Sequence, residues 1–190
     1  HILDHKIKMS IHPQYIFYMP LCIPEEFSLL HFLKQQDFRL QLLQEVKLNF
    51  FGDYSSFGKK VIGAIQEAER LTAFEHPKLK LNIALGYGGR ADIIQATKLI
   101  ANEIKLDKLS LEEVSEETIF RYLKAPIDDL DLLIRTGGDQ RISNFLLWQV
   151  SYAELFFSEV FWPDFDETHF ERAIKIFEIF QKITFSTPHI

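Results

Sequence analysis

Apolar runs of strand length, each closing in a turn and each followed by a run with helical spacing, restrict the fold of this 190-residue chain more than anything else in it. "VKLNFFGD" predicts a buried strand that ends in a turn at Gly52-Asp53. "FGKKVIGAIQEAERL" follows as a helix with Val61, Ile62, Ile65 and Ala68 on one face. "LKLNIALGYGGR" predicts a strand entering a glycine turn, and "ADIIQATKLIANEIK" the next helix. The pair repeats with "DLDLLIRTGG" as strand and "SNFLLWQVSYA" as helix. "ELFFSEVFWPDF" has a strand-like core that stops at Pro163, and "DETHFERAIKIFEIFQKI" is amphipathic. Strand and helix in alternation give an α/β fold with a mostly parallel central sheet wrapped by helices. Wholly apolar strands fit that arrangement, because a parallel sheet is covered on both faces.

The rest of the pattern is weaker. "YIFYMPLCI", Tyr15 to Ile23, reads as a strand interrupted at Pro20. "FSLLHFLKQQDFRLQLLQ" has helical spacing through Leu29, Phe32 and Leu33, then Leu40 and Leu43. Ser110 with Glu113 fits a capping box, and Thr168 with Glu171 fits a second; each marks a helix start. The acidic run beside Ser110 reads as a solvated face. Without repeats or a flexible linker, residues 1–190 are expected to form one domain.

Composition sets limits on function. A net charge of −6 argues against broad nucleic-acid binding, but it leaves room for a local basic site. A single cysteine, Cys22, excludes an internal disulfide and a cysteine-rich zinc site. The scattered histidines, His76 and His169 among them, lack metal-ligand spacing and read as surface residues. No apolar run reaches the length of a spanning helix, and no signal peptide is evident, so a cytoplasmic protein is expected. The 18 phenylalanines are an excess that a core, an apolar channel or a partner face would absorb. The chain begins at His1 rather than Met, which fits a missing front segment.

In such sheets ligands bind beyond the carboxyl ends of the strands. "GYGGR" and "RTGGDQR" both put arginine and glycine there, on the same expected edge. Gly137 and Gly138 permit a sharp turn and would expose N–H groups to an anion. Ser143 is placed to cap the helix expected after it, whose start would carry partial positive charge. Arg135 and Arg141 can each grip a phosphate through two parallel hydrogen bonds. Together these make a phosphate or diphosphate site; the motif is neither a Walker loop nor a dinucleotide fingerprint. The alternative is a capped helix start with two arginines in surface salt bridges.

"DLLIRTGGDQRISNFLLWQVSYAELFFSEVFWPDF" closely resembles the C-terminal signature of the cis-prenyltransferases, which include the bacterial undecaprenyl diphosphate synthases. "LNIALGYGGRADII" resembles a second block of that family, with Gly86 where Asn is common and Ala91 where Trp is common. "VKLNFFGD" resembles a third. The resemblance spans roughly residues 46–170. It implies a parallel sheet wrapped by helices around an apolar tunnel for the growing chain. The implied activity is condensation of isopentenyl diphosphate with an allylic diphosphate, such as farnesyl diphosphate, using Mg²⁺. Arg135, Arg141, Ile142 and Ser143 would then hold the diphosphate of isopentenyl diphosphate, and Glu154 would help hold Mg²⁺. A homodimer formed around "ELFFSEVFWPDF", a role in supplying a cell-wall lipid carrier and peripheral membrane contact also follow from the resemblance.

The front of the chain departs from the family. The strand ending in Met-Asp-Gly-Asn-Gly-Arg-Trp, whose aspartate works with Mg²⁺ at the allylic diphosphate, has no counterpart. Asp4 lacks the following Gly and Arg, so the catalytic role is not transferred to it. "PLCIPEE" stands where a Ser-x-Glu-Asn-Trp loop is expected, and the arginine- and glycine-rich tail is absent. The isopentenyl half of a two-substrate site is therefore legible and the allylic half is not. A fragment of an ordinary enzyme, a divergent enzyme and a non-catalytic partner of a complete synthase all fit that pattern.

Overall fold

The computed structural model describes residues 14–18, 46–125, 127 and 129–186, with the side chains of residues 46–180 among them. They fall into two compact units, one ending at residue 125 and the other starting at Ile127. The helix expected over 27–44 lies outside the described residues.

The first unit is built on a three-stranded parallel sheet. β1 (Gln14–Tyr18), β2 (Val46–Gly52) and β3 (Leu79–Leu85) are arranged in the order β1-β3-β2. Val46 registers with Leu79 and Gly52 with Leu85, while Gln14 to Tyr18 register with Lys80 to Ala84. Helix α1 (Lys59–Leu71) crosses back between β2 and β3, as a parallel pair requires. Val61 and Ile65, one helical turn apart, are its buried residues, and they pack with Val46, Leu48, Phe50, Ile83 and Leu85 into one core. Burying each of these side chains is worth about 1.5–3 kcal/mol.

The outer edge of β2 is closed by side chains from the end of α1. Leu48 N–H donates to Thr72 Oγ1 at 3.0 Å, and Phe50 N–H donates to Glu69 Oε1 at 2.9 Å. Strand N–H groups without a strand neighbour among the described residues thus find partners, which is the condition for burying them. β2 and β3 also approach closely at their carboxyl ends. Gly52 has φ +117°, and a Cβ there would lie 2.0 Å from the carbonyl oxygen of Leu85, so only glycine fits.

Helix α2 (Gly89–Lys105) follows β3 directly, and a short helix α3 (Glu116–Tyr122) ends the unit. The Ser110/Glu113 capping box is present, but it starts a single 3₁₀ turn at Leu111–Glu113. The true start of α3 is capped by Ser115, whose hydroxyl accepts from Thr118 N–H. Two competing caps five residues apart explain the difference: the nearer one yields one turn before Val114 turns extended. The acidic residues Glu112, Glu113, Glu116 and Glu117 are exposed, as the sequence predicts.

The second unit holds a two-stranded parallel sheet of β4 (Leu132–Arg135) and β5 (Glu154–Phe157), with Leu132 opposite Glu154 and Arg135 opposite Phe157. Helix α4 (Glu167–Ser186) follows a 3₁₀ turn around Pro163. Its cap is Asp166 rather than Thr168: the Asp166 carboxylate accepts from His169 N–H at 3.1 Å. Aspartate is the stronger cap and lies two residues nearer the extended chain.

The helix expected over "SNFLLWQVSYA" does not form. Ser143, Asn144 and Leu146 have φ of +48°, +63° and +44°, left-handed values that interrupt a right-handed helix. Residues 143–152 run instead as consecutive turns, with Val150 N–H to Leu146 O at 3.0 Å among their hydrogen bonds. Leu146 tolerates the strain because it is fully buried, and its packing offsets a cost of about 1–3 kcal/mol. The fold class itself is as the sequence predicts: α/β, with parallel pairing at every strand contact among the described residues.

Candidate functional site

The arginine cluster sits at the carboxyl end of β4. Arg135 is the last residue of that strand and is about three-quarters buried, with 24% of its side chain exposed. It is tied to its surroundings through both terminal nitrogens. Nη1 donates to Ser143 Oγ at 2.7 Å and to the carbonyl oxygen of Arg141. Nη2 donates to Asp139 Oδ2 at 2.6 Å. Arg141 reaches the same oxygen from the other side, with Nη2 also 2.6 Å from Asp139 Oδ2. Its side chain is 65% exposed. Arg135, Arg141 and Ser143, picked out separately in the sequence, are therefore one cluster; Ile142 lies between them, half-buried, with its carbonyl oxygen accepting from Phe145 N–H.

Two expectations about this loop are corrected. The N–H groups of Gly137 and Gly138 do not face an anion. They donate to Val160 O and Ser158 O, both at 2.9 Å, while Ser158 N–H donates to Arg135 O at 2.8 Å. Backbone bonding carried past the ends of β4 and β5 takes those donors. The glycines still supply the turn, at φ +89° and +83°. Ser143 is not a helix cap either, since no helix follows it; its hydroxyl accepts from Arg135 and keeps its own proton free to donate. What remains is a site of two guanidinium groups and one hydroxyl, without a helix dipole or an amide nest. Guanidinium forks match phosphate oxygens, so the chemistry still points to an anion with several oxygens.

Asp139 is the member that sequence reasoning passed over. An acid four residues after one arginine and two before the other is a visible signal. The pairing also gives weight to the alternative reading of surface salt bridges, because both arginines do pair with a carboxylate.

Glu154 is placed elsewhere. It opens β5 opposite Leu132, three register steps from Arg135. At about 3.3 Å per residue that is roughly 10 Å along the sheet, and strand alternation puts the two side chains on opposite faces. No group of three His, Cys, Asp or Glu side chains suited to a metal ion occurs among the described residues.

The second arginine–glycine turn lies in the other unit. Gly86 takes φ +57°, and a Cβ there would sit 2.2 Å from the carbonyl oxygen of Asp53. Tyr87 packs edge-on against Phe51 at 5.1 Å, and Gly88 is the N-cap of α2. Asp92, in the first turn of α2, is 3% exposed and accepts from Lys124 N–H at 2.7 Å. Burial, then the charge of Asp92, holds the Tyr87 phenol far above its ordinary range, so it stays neutral. Asp92 was also missed, because its apolar surroundings gave no sign that a carboxylate would be buried there.

Comparison with known proteins supplies the remaining evidence. Residues 24–184 match the family model described as "Putative undecaprenyl diphosphate synthase". A ditrans,polycis-undecaprenyl-diphosphate synthase ((2E,6E)-farnesyl-diphosphate specific) of Haemophilus ducreyi is 50% identical over 134 residues, covering 70% of this chain and 55% of that protein. The synthase of the same description from Pasteurella multocida is 45% identical over 146 residues, covering 75% and 60%. The chain thus spans between half and two-thirds of the length of these curated relatives. Lavandulyl diphosphate synthase from Lavandula x intermedia, solved in complex with dimethylallyl diphosphate, superposes with a TM-score of 0.74 at 30% identity, over 80% of this chain and 66% of that one. A "probable undecaprenyl diphosphate synthase" from Campylobacter jejuni gives 0.63 at 27% identity, over 89% and 96%.

Proposed function

The chain belongs to the undecaprenyl diphosphate synthase family of prenyltransferases, and from that premise we propose that it condenses isopentenyl diphosphate with an allylic diphosphate. One observation carries the reading: Arg135, Arg141 and Ser143 meet at the carboxyl end of a parallel strand, the two arginines sharing one carboxylate oxygen and Ser143 bonded to Arg135. That is where an α/β sheet offers a ligand site, and these are the groups that hold a diphosphate. In this proposal they bind and orient isopentenyl diphosphate, with Ile142 beside its polar end, so that its double bond faces the allylic carbon. The relatives' names make farnesyl diphosphate the first primer to try.

Mg²⁺ is the ion used in this family, and it favours one or two carboxylates together with phosphate oxygens and water. In this proposal Glu154, at the start of β5, would supply one such carboxylate. An apolar tunnel for the product is part of the same proposal, as is self-association. Tyr152, Leu155, Phe161 and Trp162 are exposed along one segment, which supports an interface. No helix among the described residues is long and apolar enough to cross a membrane; peripheral contact with lipid belongs to the proposal.

A second reading has its own observation. The 190 residues contain no Asp-Gly-Asn-Gly-Arg run. A chain lacking it would bind isopentenyl diphosphate and support a complete synthase without turning over. Incubation of the whole chain with labelled isopentenyl diphosphate, farnesyl diphosphate and Mg²⁺ separates the two. Elongated polyprenyl product supports the synthase. Binding of isopentenyl diphosphate without elongation selects the second reading, and absence of binding refutes both.

A further inference from the structure

The reading of the arginine cluster as a diphosphate site leaves one residue without a task. Asp139 Oδ2 lies 2.6 Å from Nη2 of Arg135 and 2.6 Å from Nη2 of Arg141. A single oxygen bridging two guanidinium groups is the arrangement a phosphate oxygen would adopt. Arg135 Nη1 is already committed to Ser143 Oγ and the carbonyl of Arg141. A phosphate oxygen placed between the two guanidinium groups would compete with Asp139 for Nη2 of each.

We propose that Asp139 is an internal counter-ion standing in for the substrate phosphate, and that its displacement makes the site select diphosphates over monophosphates. The inference rests on the proposed diphosphate site and adds its specificity. A carboxylate and a phosphate cannot share two guanidinium groups without like-charge repulsion, so the incoming anion must expel Asp139. Its exchange is feasible, because the Asp139 side chain is 41% exposed and can turn toward water. A monophosphate offers one anionic group and gains little over the carboxylate it replaces. A diphosphate brings a second anionic group for the exposed Arg141 and for the Ser143 hydroxyl. Until then the carboxylate holds both guanidinium groups together.

The test is calorimetric titration of the whole chain with inorganic diphosphate and with inorganic phosphate, in EDTA. It compares the wild type with Asp139→Asn, Asp139→Ala and Arg141→Ala. The asparagine removes the charge while keeping an acceptor of the same shape. The proposal expects both Asp139 variants to bind inorganic phosphate more tightly, on the order of tenfold, the scale of one charge-assisted hydrogen bond. Diphosphate should gain less, so that the ratio of the two affinities narrows. Weaker binding of both anions in the two Asp139 variants, or an unchanged ratio, overturns the proposal and makes Asp139 an organiser of the site. Arg141→Ala reads the underlying assignment separately. If it leaves diphosphate binding unchanged, the arginine cluster is not the site, whatever Asp139 does.

Discussion

Replacing Arg135 with lysine keeps its charge and removes its fork. The structure turns that substitution into a quantitative test. Arg135 holds three partners from two nitrogens: Ser143 Oγ, Arg141 O and Asp139 Oδ2. A lysine has one nitrogen on a shorter reach and can keep one of them. In the complex, where a phosphate oxygen takes the place of Asp139 on the fork, lysine likewise keeps one bond of three, and losing two hydrogen bonds to a charged group costs roughly 1.5 kcal/mol each, or about 3 kcal/mol. Arg135 is only 24% exposed, so solvent recovers little of that. Arg141→Lys should cost less, because Arg141 is 65% exposed and its salt bridge to Asp139 is of the surface kind, worth below about 1 kcal/mol. Binding of isopentenyl diphosphate by calorimetry should therefore weaken about a hundredfold in Arg135→Lys and less than tenfold in Arg141→Lys. Equal losses in the two variants would refute the claim that Arg135 anchors the cluster. A loss under twofold in Arg135→Lys would refute its part in diphosphate binding.

Further outcomes follow from the packing. Gly52→Ala forces a Cβ to within 2.0 Å of Leu85 O at φ +117°; chemical denaturation should show a loss of roughly 3 kcal/mol or more. Thr72→Val removes the oxygen that receives Leu48 N–H inside the core, so the same assay should show a loss of about 1–3 kcal/mol. Hydrogen bonds from His169, first from its backbone N–H and then from its ring, hold the Asp166 carboxyl below its ordinary range. Because the folded value is the lower one, the cap of α4 is complete above about pH 4 and is lost as pH falls through the depressed value. Far-UV circular dichroism should show an acid loss of helix that Asp166→Asn abolishes.

Much of this architecture is legible from local chemistry. Val46 to Gly52 and Leu79 to Leu85 are apolar runs with glycine at or after their ends, and both became parallel strands at those limits. The clustering of Arg135, Arg141 and Ser143 was also legible, because six and eight residues around a double glycine bring them back together. Three features were not. "SNFLLWQVSYA" has true helical spacing, yet the burial of Leu146 and the ties of Ser143 to Arg135 hold left-handed residues that no periodicity reveals. The glycine N–H groups were assigned to a ligand because the return of residues 158–160 past β4 is a long-range contact. Glu154 was assigned to Mg²⁺ through the resemblance, and the three register steps between it and Arg135 are not visible in its own segment. Register depends on the partner strand, and a single segment does not encode it.

The most direct test of where the substrate binds is a crystal structure of the whole chain with isopentenyl diphosphate. The account predicts diphosphate oxygens within hydrogen-bonding distance of both the Arg135 and Arg141 guanidinium groups and of Ser143 Oγ, with the Asp139 carboxylate swung out toward solvent. A diphosphate bound elsewhere, with Asp139 still bridging the two arginines, would contradict it.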